Sequence, residues 1–298
     1  MEVALIQVPY MIGDERHGAS KGPARYLDAG LERLLGDAGV ASSVVRIDRT
    51  ESFRDSASAS RVVNTKVQKA VKNAIGLRQL PLILAGSCDV SMGVLAAFDH
   101  SQCGVVWIDA HADFNTPEST VSGFFAGMSL AVISGHCYRS LWAEIGDSTP
   151  VPEAAIVLLG LRDLSPAAER ERLTASSISV VGWRDGKPDR DVGQVLDVLA
   201  KRVHEVYLHV DMDALDPRVA PGVVDEPVPG GLSLEQMQET IRAVCTRFGV
   251  HAFTIATYNP ERDRDGITLR TGLALIETLV RSCGQGRLAT REGARRAR

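Results

Sequence analysis

The chain has 298 residues, 45% of them hydrophobic, and a formal net charge of −4, enough for one large α/β domain or two smaller ones. A charge this close to balance argues against nucleic acid or an anionic membrane as partner, and no stretch approaches the roughly 20 apolar residues of a membrane span. Five cysteines, Cys88, Cys103, Cys137, Cys245 and Cys283, are scattered and form no CxxC pair, which argues against a disulfide framework and for a reducing, cytoplasmic setting.

Taken in chain order, the opening "VALIQV" reads as a strand, its apolar run too short for a signal peptide. A helical pattern over 22–39, the strand "SSVVRI", a helical pattern over 58–79 and the strand "PLILAG" follow. A helical pattern over 90–99 precedes the strands "GVVWID", "AAIVLLG" and "SISVVGW". Helical patterns over 189–204 and 233–248 then flank "EVYLHVDMD", and "HAFTIATY" is the last strand. Runs apolar throughout, separated by helices, mark a parallel sheet covered on both faces. The expectation is therefore one domain over 1–284 with a mostly parallel sheet of about eight strands. The basic residues of 285–298 read as a disordered tail. The Pro- and Gly-rich stretch "RVAPGVVDEPVPGG" directly follows a strand end and reads as an active-site loop.

Ligands of open parallel sheets bind at the carboxyl ends of strands, where the unusual residues of this chain fall. "VVWIDAHADFNTP" ends with Asp109, His111 and Asp113 at every second position, so an extended backbone turns all of them to one face. "YLHVDMDALDP" repeats the pattern with His209, Asp211 and Asp213, and Asp216 lies just beyond. Either cluster alone would pass for loop and capping residues. Together they crowd like charges that repel unless cations sit between them. Divalent ions roughly 3.5–4 Å apart, bridged by carboxylates, meet that need. His209 reads as a support for the site rather than a ligand. His17, His100, His136, His204 and His251 read as surface or structural, and Trp107, Trp142 and Trp183 as core.

"DAHADFNTP" and "HVDMDALDP", with "NPERD" and "GPARYLDAGL", resemble the arginase/agmatinase (ureohydrolase) family over nearly the whole chain. The resemblance implies a three-layer α/β/α fold, two Mn²⁺ per chain, and hydrolysis of a guanidino group by a metal-bridging hydroxide. Zn²⁺ or Fe²⁺ are possible substitutes. By position, Asp109 and Asp211 resemble the bridging ligands, Asp113 a ligand of one ion, and His111 and Asp213 ligands of the other. The family's remaining ligand is a histidine in a "GGDHS"-like turn. Here that turn is "AGSCDVSMG", and Cys88 holds the place. A buried cysteine is ordinarily a packing residue, but this one stands at a strand end, and a thiolate binds metal. Thiolate makes its ion a weaker Lewis acid and favours softer ions, whereas the carboxylates favour manganese.

Asn115 and Ser122 match positions that in arginases hold the substrate α-carboxylate, with Thr120 as a helper, which implies a guanidino amino acid rather than agmatine. Ser165 aligns with an aspartate that helps hold the α-amino group, so that contact is weakened. Thr257 stands where the family has a glutamate gripping the guanidinium, and Glu226 is the expected replacement. The family's proton-shuttling histidine aligns with Ala126, which leaves Asp113 as the catalytic proton carrier. A plain guanidinium is strongly basic and its departing amine must be protonated; an N-hydroxyguanidine asks for less acid assistance. The expected substrate is thus Nω-hydroxy-L-arginine, yielding hydroxyurea and L-ornithine. In this the chain looks like the amidinohydrolases of D-cycloserine biosynthesis. The alternatives are an ordinary arginase, a hydrolase of another guanidino acid, and a silent amino-acid-binding relative. The polar C-terminus offers no apolar packing surface, so a monomer is expected, although relatives often form trimers or hexamers.

Overall fold

The β-branched runs do form strands, and nearly all lie parallel. A computed structural model describes residues 1–48, 53–99, 103–146, 149–224 and 226–296, with side chains of the last helix described to Cys283. The strands are β1 (Glu2–Val8), β2 (Ala41–Arg46), β3 (Leu80–Ala85), β4 (Cys103–Ile108) and β5 (Ile156–Leu161). They continue with β6 (Ser179–Arg184), β7 (Lys187–Pro188), β8 (Glu205–Asp211) and β9 (Gly249–Ala256). The sheet order is β2-β1-β3-β9-β8-β4-β5-β6-β7. Among the described strands only β7 runs antiparallel, and its two residues are too short to leave a pattern in sequence.

The helices are α1 (Gly22–Asp28), α2 (Leu31–Asp37), α3 (Ser56–Gly76), α4 (Ser91–Leu95) and α5 (Ser129–Ile133). After them come α6 (Arg139–Gly146), α7 (Ala167–Ala175), α8 (Val192–Ala200), α9 (Leu234–Arg247) and α10 (Ile267–Arg296). The helix expected over 22–39 is broken at Gly30, whose φ of +87° suits glycine, into α1 and α2. The short helices α5, α6 and α7 and the long α10 lie outside the expected helical stretches. The boundary expected near Gly284, and the tail over 285–298, lie outside the residues whose side chains are described.

Because strand side chains alternate, each strand feeds two cores. Val3 and Leu5 face one with α1, α2, α8, α9 and α10; Ala4, Ile6 and Val8 face the other with α3 to α7. The result is three layers, α/β/α. Trp107, Trp142 and Trp183 are buried in these cores as expected. None of the five cysteines is in a disulfide, yet the sulfurs of Cys245 on α9 and Cys283 on α10 lie 3.2 Å apart, a proximity hidden by 38 positions of sequence. Among the described residues no helix is long and apolar enough to cross a membrane.

The crossovers place β4 beside β8 at the middle of the sheet, with Trp107 opposite His209 and Ile108 opposite Val210. Asp109 and Asp211 therefore emerge side by side. β9 lies between β8 and β3, so its end meets the turn that follows β3 and carries Cys88. That turn passes tightly under Tyr10: a Cβ on Gly86 would sit 2.5 Å from the Tyr10 carbonyl oxygen. Gly86→Ala is expected to cost about 1–3 kcal/mol in urea unfolding and to displace Cys88. Unchanged unfolding midpoints would show the turn to be looser than this.

Candidate metal centre

β4 ends at Ile108, so Asp109, His111 and Asp113 do not converge as three steps of one strand. A loop gathers them instead. The His111 amide donates to Asp109 Oδ1 at 2.7 Å, which turns the chain back on itself. Asp113 takes a left-handed φ of +47°, and its carbonyl accepts from Leu130 and Ala131 at the start of α5. The second cluster is built similarly, by a 3₁₀ turn over Met212–Ala214 whose Asp213 amide donates to Asp211 Oδ1 at 2.7 Å. The loops are stitched together where the Ala110 amide donates to Asp213 Oδ1 at 3.2 Å.

The side chains meet at the carboxyl edge of the sheet. His111 Nδ1 lies 3.1 Å from Asp213 Oδ2 and 3.4 Å from Asp109 Oδ1. Cys88 Sγ donates to Asp211 Oδ2 at 2.8 Å. Asp109, Asp113, Asp211, Asp213 and Cys88 are all buried. All six expected ligand residues are thus brought together except that Asp113 Oδ2 has no partner. Five of them, Cys88, His111, Asp113, Asp211 and Asp213, line a narrow cavity of about 20 Å³, shared with Ala126, Phe124 and Thr257. A larger cavity of about 610 Å³ opens at the opposite edge, near Met1, Leu80 and Glu205, without such an acidic cluster.

Burial pushes the Asp109 carboxyl up to about 6, with Asp213 adding to the effect. Burial likewise raises Asp113, helped by Asp109, and Asp211, helped by Asp213. Burial would raise Asp213 as well, but the His111 charge and hydrogen bond outweigh it and hold Asp213 down to about 2. His111 is held well above its ordinary value because, against its own burial, Asp213 and Asp109 stabilise the cation. Burial and the nearby carboxylates keep the Cys88 thiol protonated. In the absence of ions, protons and one imidazolium thus do the work of neutralisation. The orphaned Asp113 Oδ2, the raised carboxyls and the O, N and S donors all fit divalent ions, and Asp109, His111 and Asp213 have ligand atoms within 4.8 Å of one another.

The residues expected to touch substrate are less uniformly placed. Asn115 joins Ser165, donating from Nδ2 to the Ser165 carbonyl at 3.4 Å, and accepts from Ser119 at 3.0 Å. Thr120 Oγ1 accepts from the Gly123 amide and Ser122 Oγ from the Phe124 amide, so both hydroxyls also shape the loop. Thr257 lines the cavity, but with φ of +69° its hydroxyl donates to Asp211 Oδ1, which makes it a prop for a candidate ligand. Glu226 departs from expectation. Its side chain is 90% exposed and pairs with Arg262 at 3.0 Å, because the loop turns it to solvent. Asp216 also stands apart, binding the Gly230 amide and Arg218 to close the 216–232 loop.

Sequence reasoning missed the supports. Arg162 donates to the carbonyls of Asp213, Ala214, Leu215 and Val228 and so pins the second cluster. On α7, Glu169 accepts from the Phe114 amide at 2.9 Å, and Arg172 donates to the Phe114 carbonyl and to Ser119. No local signal marks them, since their partners lie some 50 positions away. Of the other histidines, His136 pairs with Glu153 and His251 with Glu205, while His17 caps a 3₁₀ turn. His100 lies outside the described residues.

The titration of Asp109 carries a sign. Its carboxyl sits above the ordinary value, so its contribution to stability is present below about pH 4 and is lost as pH rises through about 6. The depressed Asp213 acts only at lower pH. Chelator-treated protein is expected to lose on the order of 1–3 kcal/mol in urea unfolding between about pH 5 and about pH 7.5. Divalent ions should reverse that slope, because deprotonated side chains are what bind them. A metal-free protein equally stable at both values would count against this electrostatic picture.

A family model described as the arginase family matches residues 1–281. The chain is similar to the arginase of Bacillus caldovelox, 29% identical over 292 residues that cover 93% of this chain and 97% of that protein. It is similar in structure to an arginase from Bacillus cereus, with a TM-score of 0.83 at 28% identity over 94% of this chain and 98% of the other. An arginase from Bacillus subtilis superposes with a TM-score of 0.84 at 29% identity, over 93% and 97% of the two chains. Sheet order, acidic strand ends and this near-complete match agree, and the chain belongs to the arginase family.

Proposed function

We propose that the chain is a two-ion amidinohydrolase acting on a guanidino α-amino acid, with Nω-hydroxy-L-arginine as preferred substrate and hydroxyurea and L-ornithine as products. The carrying observation is the cavity wall. Apart from the candidate ligands, no described residue lining it is an acid that could protonate a leaving amine; the neighbours are Ala126, Phe124, Thr257, Ser87, Met11 and Val224. A less basic guanidino group suits such a wall.

Cys88, Asp109, Asp113 and Asp211 would hold one ion, and His111, Asp109, Asp211 and Asp213 the other, Mn²⁺ by the number of carboxylates. When bound, the ions acidify a water and polarise the guanidino carbon. Asp113 is raised by burial and has an unpartnered Oδ2, so it is suited to hold a proton there. Thr257 keeps Asp211 oriented through its hydroxyl. Asn115, with Thr120 and Ser122 on the same loop, would take the α-carboxylate, and Ser165 stands beside it for the α-amino end. Hydrolysis of plain L-arginine is the second reading, favoured by the similarity to Bacillus arginases.

Steady-state kinetics separate the readings. The kcat/KM for Nω-hydroxy-L-arginine is expected to exceed that for L-arginine by about 10-fold or more; the reverse order would favour an ordinary arginase. Cys88→His should keep metal but shift the pH profile, and an unchanged profile would return Cys88 to packing. Asn115→Ala should raise KM by roughly 10–100-fold, the range for losing a hydrogen bond to a charged group, with kcat much less affected. Equal losses in both would point instead to collapse of the loop.

A further inference from the structure

His209 has no part in the reaction outlined above, yet its surroundings are unusual. Its ring is fully buried on β8 and stacks on the Trp107 indole, with centroids 3.7 Å apart and planes 15° apart. Tyr207 Oη lies 3.0 Å from His209 Nδ1 and donates to Thr254 Oγ1 at 2.8 Å. A hydroxyl has one proton to give. With that proton on the Thr254 side, Tyr207 offers a lone pair to His209, and the ring proton belongs on Nδ1. Nε2 then carries a bare lone pair, and no described group bonds to it. Native interiors rarely leave a buried polar nitrogen unpaired. A ring nitrogen of His209 and ligand-capable atoms of Cys88 and Asp109 lie within 4.8 Å of one another, so the ring stands among groups able to bind metal.

We propose that His209 Nε2 is a metal ligand on the Cys88 side of the centre, beside Cys88 and Asp109, an inference that rests on the two-ion reading of the site. A metal-binding imidazole typically has one nitrogen free and the other N–H held by an acceptor that fixes its tautomer. Tyr207 and Thr254 supply that acceptor, and Trp107 fixes the ring plane while donating to Asp109 Oδ2 at 2.9 Å. The consequence is asymmetry. Thiolate and imidazole on one ion favour Zn²⁺, Fe²⁺ or Co²⁺, whereas the carboxylate-rich partner position favours Mn²⁺.

X-ray absorption on the full chain loaded with Co²⁺ or Zn²⁺ reads this directly, without a variant. Imidazole scattering from both His111 and His209 is expected, and scattering that fits His111 alone overturns the proposal. His209→Phe preserves the stacked ring and removes the donor. It should weaken one Co²⁺ by about 10-fold or more and shift the sulfur-to-cobalt charge-transfer band, leaving the second Co²⁺ bound as before. A variant that folds, binds both ions as tightly and keeps the wild-type spectrum overturns the proposal. If the wild-type chain binds no divalent ion, the two-ion reading itself falls, an outcome distinct from a silent His209→Phe in a protein that binds both.

Discussion

The structure depends on one costly choice, the burial of Asp109, Asp113, Asp211 and Asp213 against one another at the ends of neighbouring strands. Moving a carboxylate out of water costs several kcal/mol, and like charges add to it. Without ions the protein answers with protons on raised carboxyls, an imidazolium at His111 and a thiol at Cys88. Backbone amides of His111, Ala110 and Asp213 aim at carboxylate oxygens and hold the cluster in shape. Replacing buried ionic groups with apolar ones of the same volume is often neutral or stabilising, so such a cluster points to function rather than to stability.

Such a cluster needs a rigid frame, and the frame comes from far along the chain. Arg162 leaves the end of β5 and gathers carbonyls of the Asp213 turn and of Val228, so one guanidinium ties the second acidic cluster to the loop that follows. Glu169 and Arg172 do the same for the first loop, gripping both the amide and the carbonyl of Phe114. Burial pushes the Glu169 carboxyl up to about 7. The loop that carries Asn115, Thr120 and Ser122 is therefore held by α7 through Phe114 and Ser119.

The comparisons separate scaffold from chemistry. Identities of 28–29% suffice to keep TM-scores above 0.8 against Bacillus arginases, since a parallel sheet tolerates exchange among apolar residues of similar volume. Chemistry rests on far fewer positions. Of the positions where the sequence reading expects a departure from the family's pattern, Cys88, Ala126 and Thr257 line the narrow cavity and Ser165 does not. The fold is thus shared across the family, whereas activity is argued from the site and not from the fold.

How much could be read in advance follows from how local each feature is. The eight apolar strands, the parallel sheet and the two acidic clusters were legible because each is written within ten or so consecutive residues. The sequence by itself therefore determined the layered fold and the identity of the candidate ligands. Tertiary structure alone decided the rest. It turned Glu226 to solvent and Thr257 onto Asp211, set Cys245 against Cys283, and brought the His209 ring beside Cys88 and Asp109. The physical reason is that these contacts join β3, β9, β8 and β4, or α9 and α10, through crossovers and single positive-φ residues. A side chain's direction there depends on backbone angles and neighbours that residue order does not display.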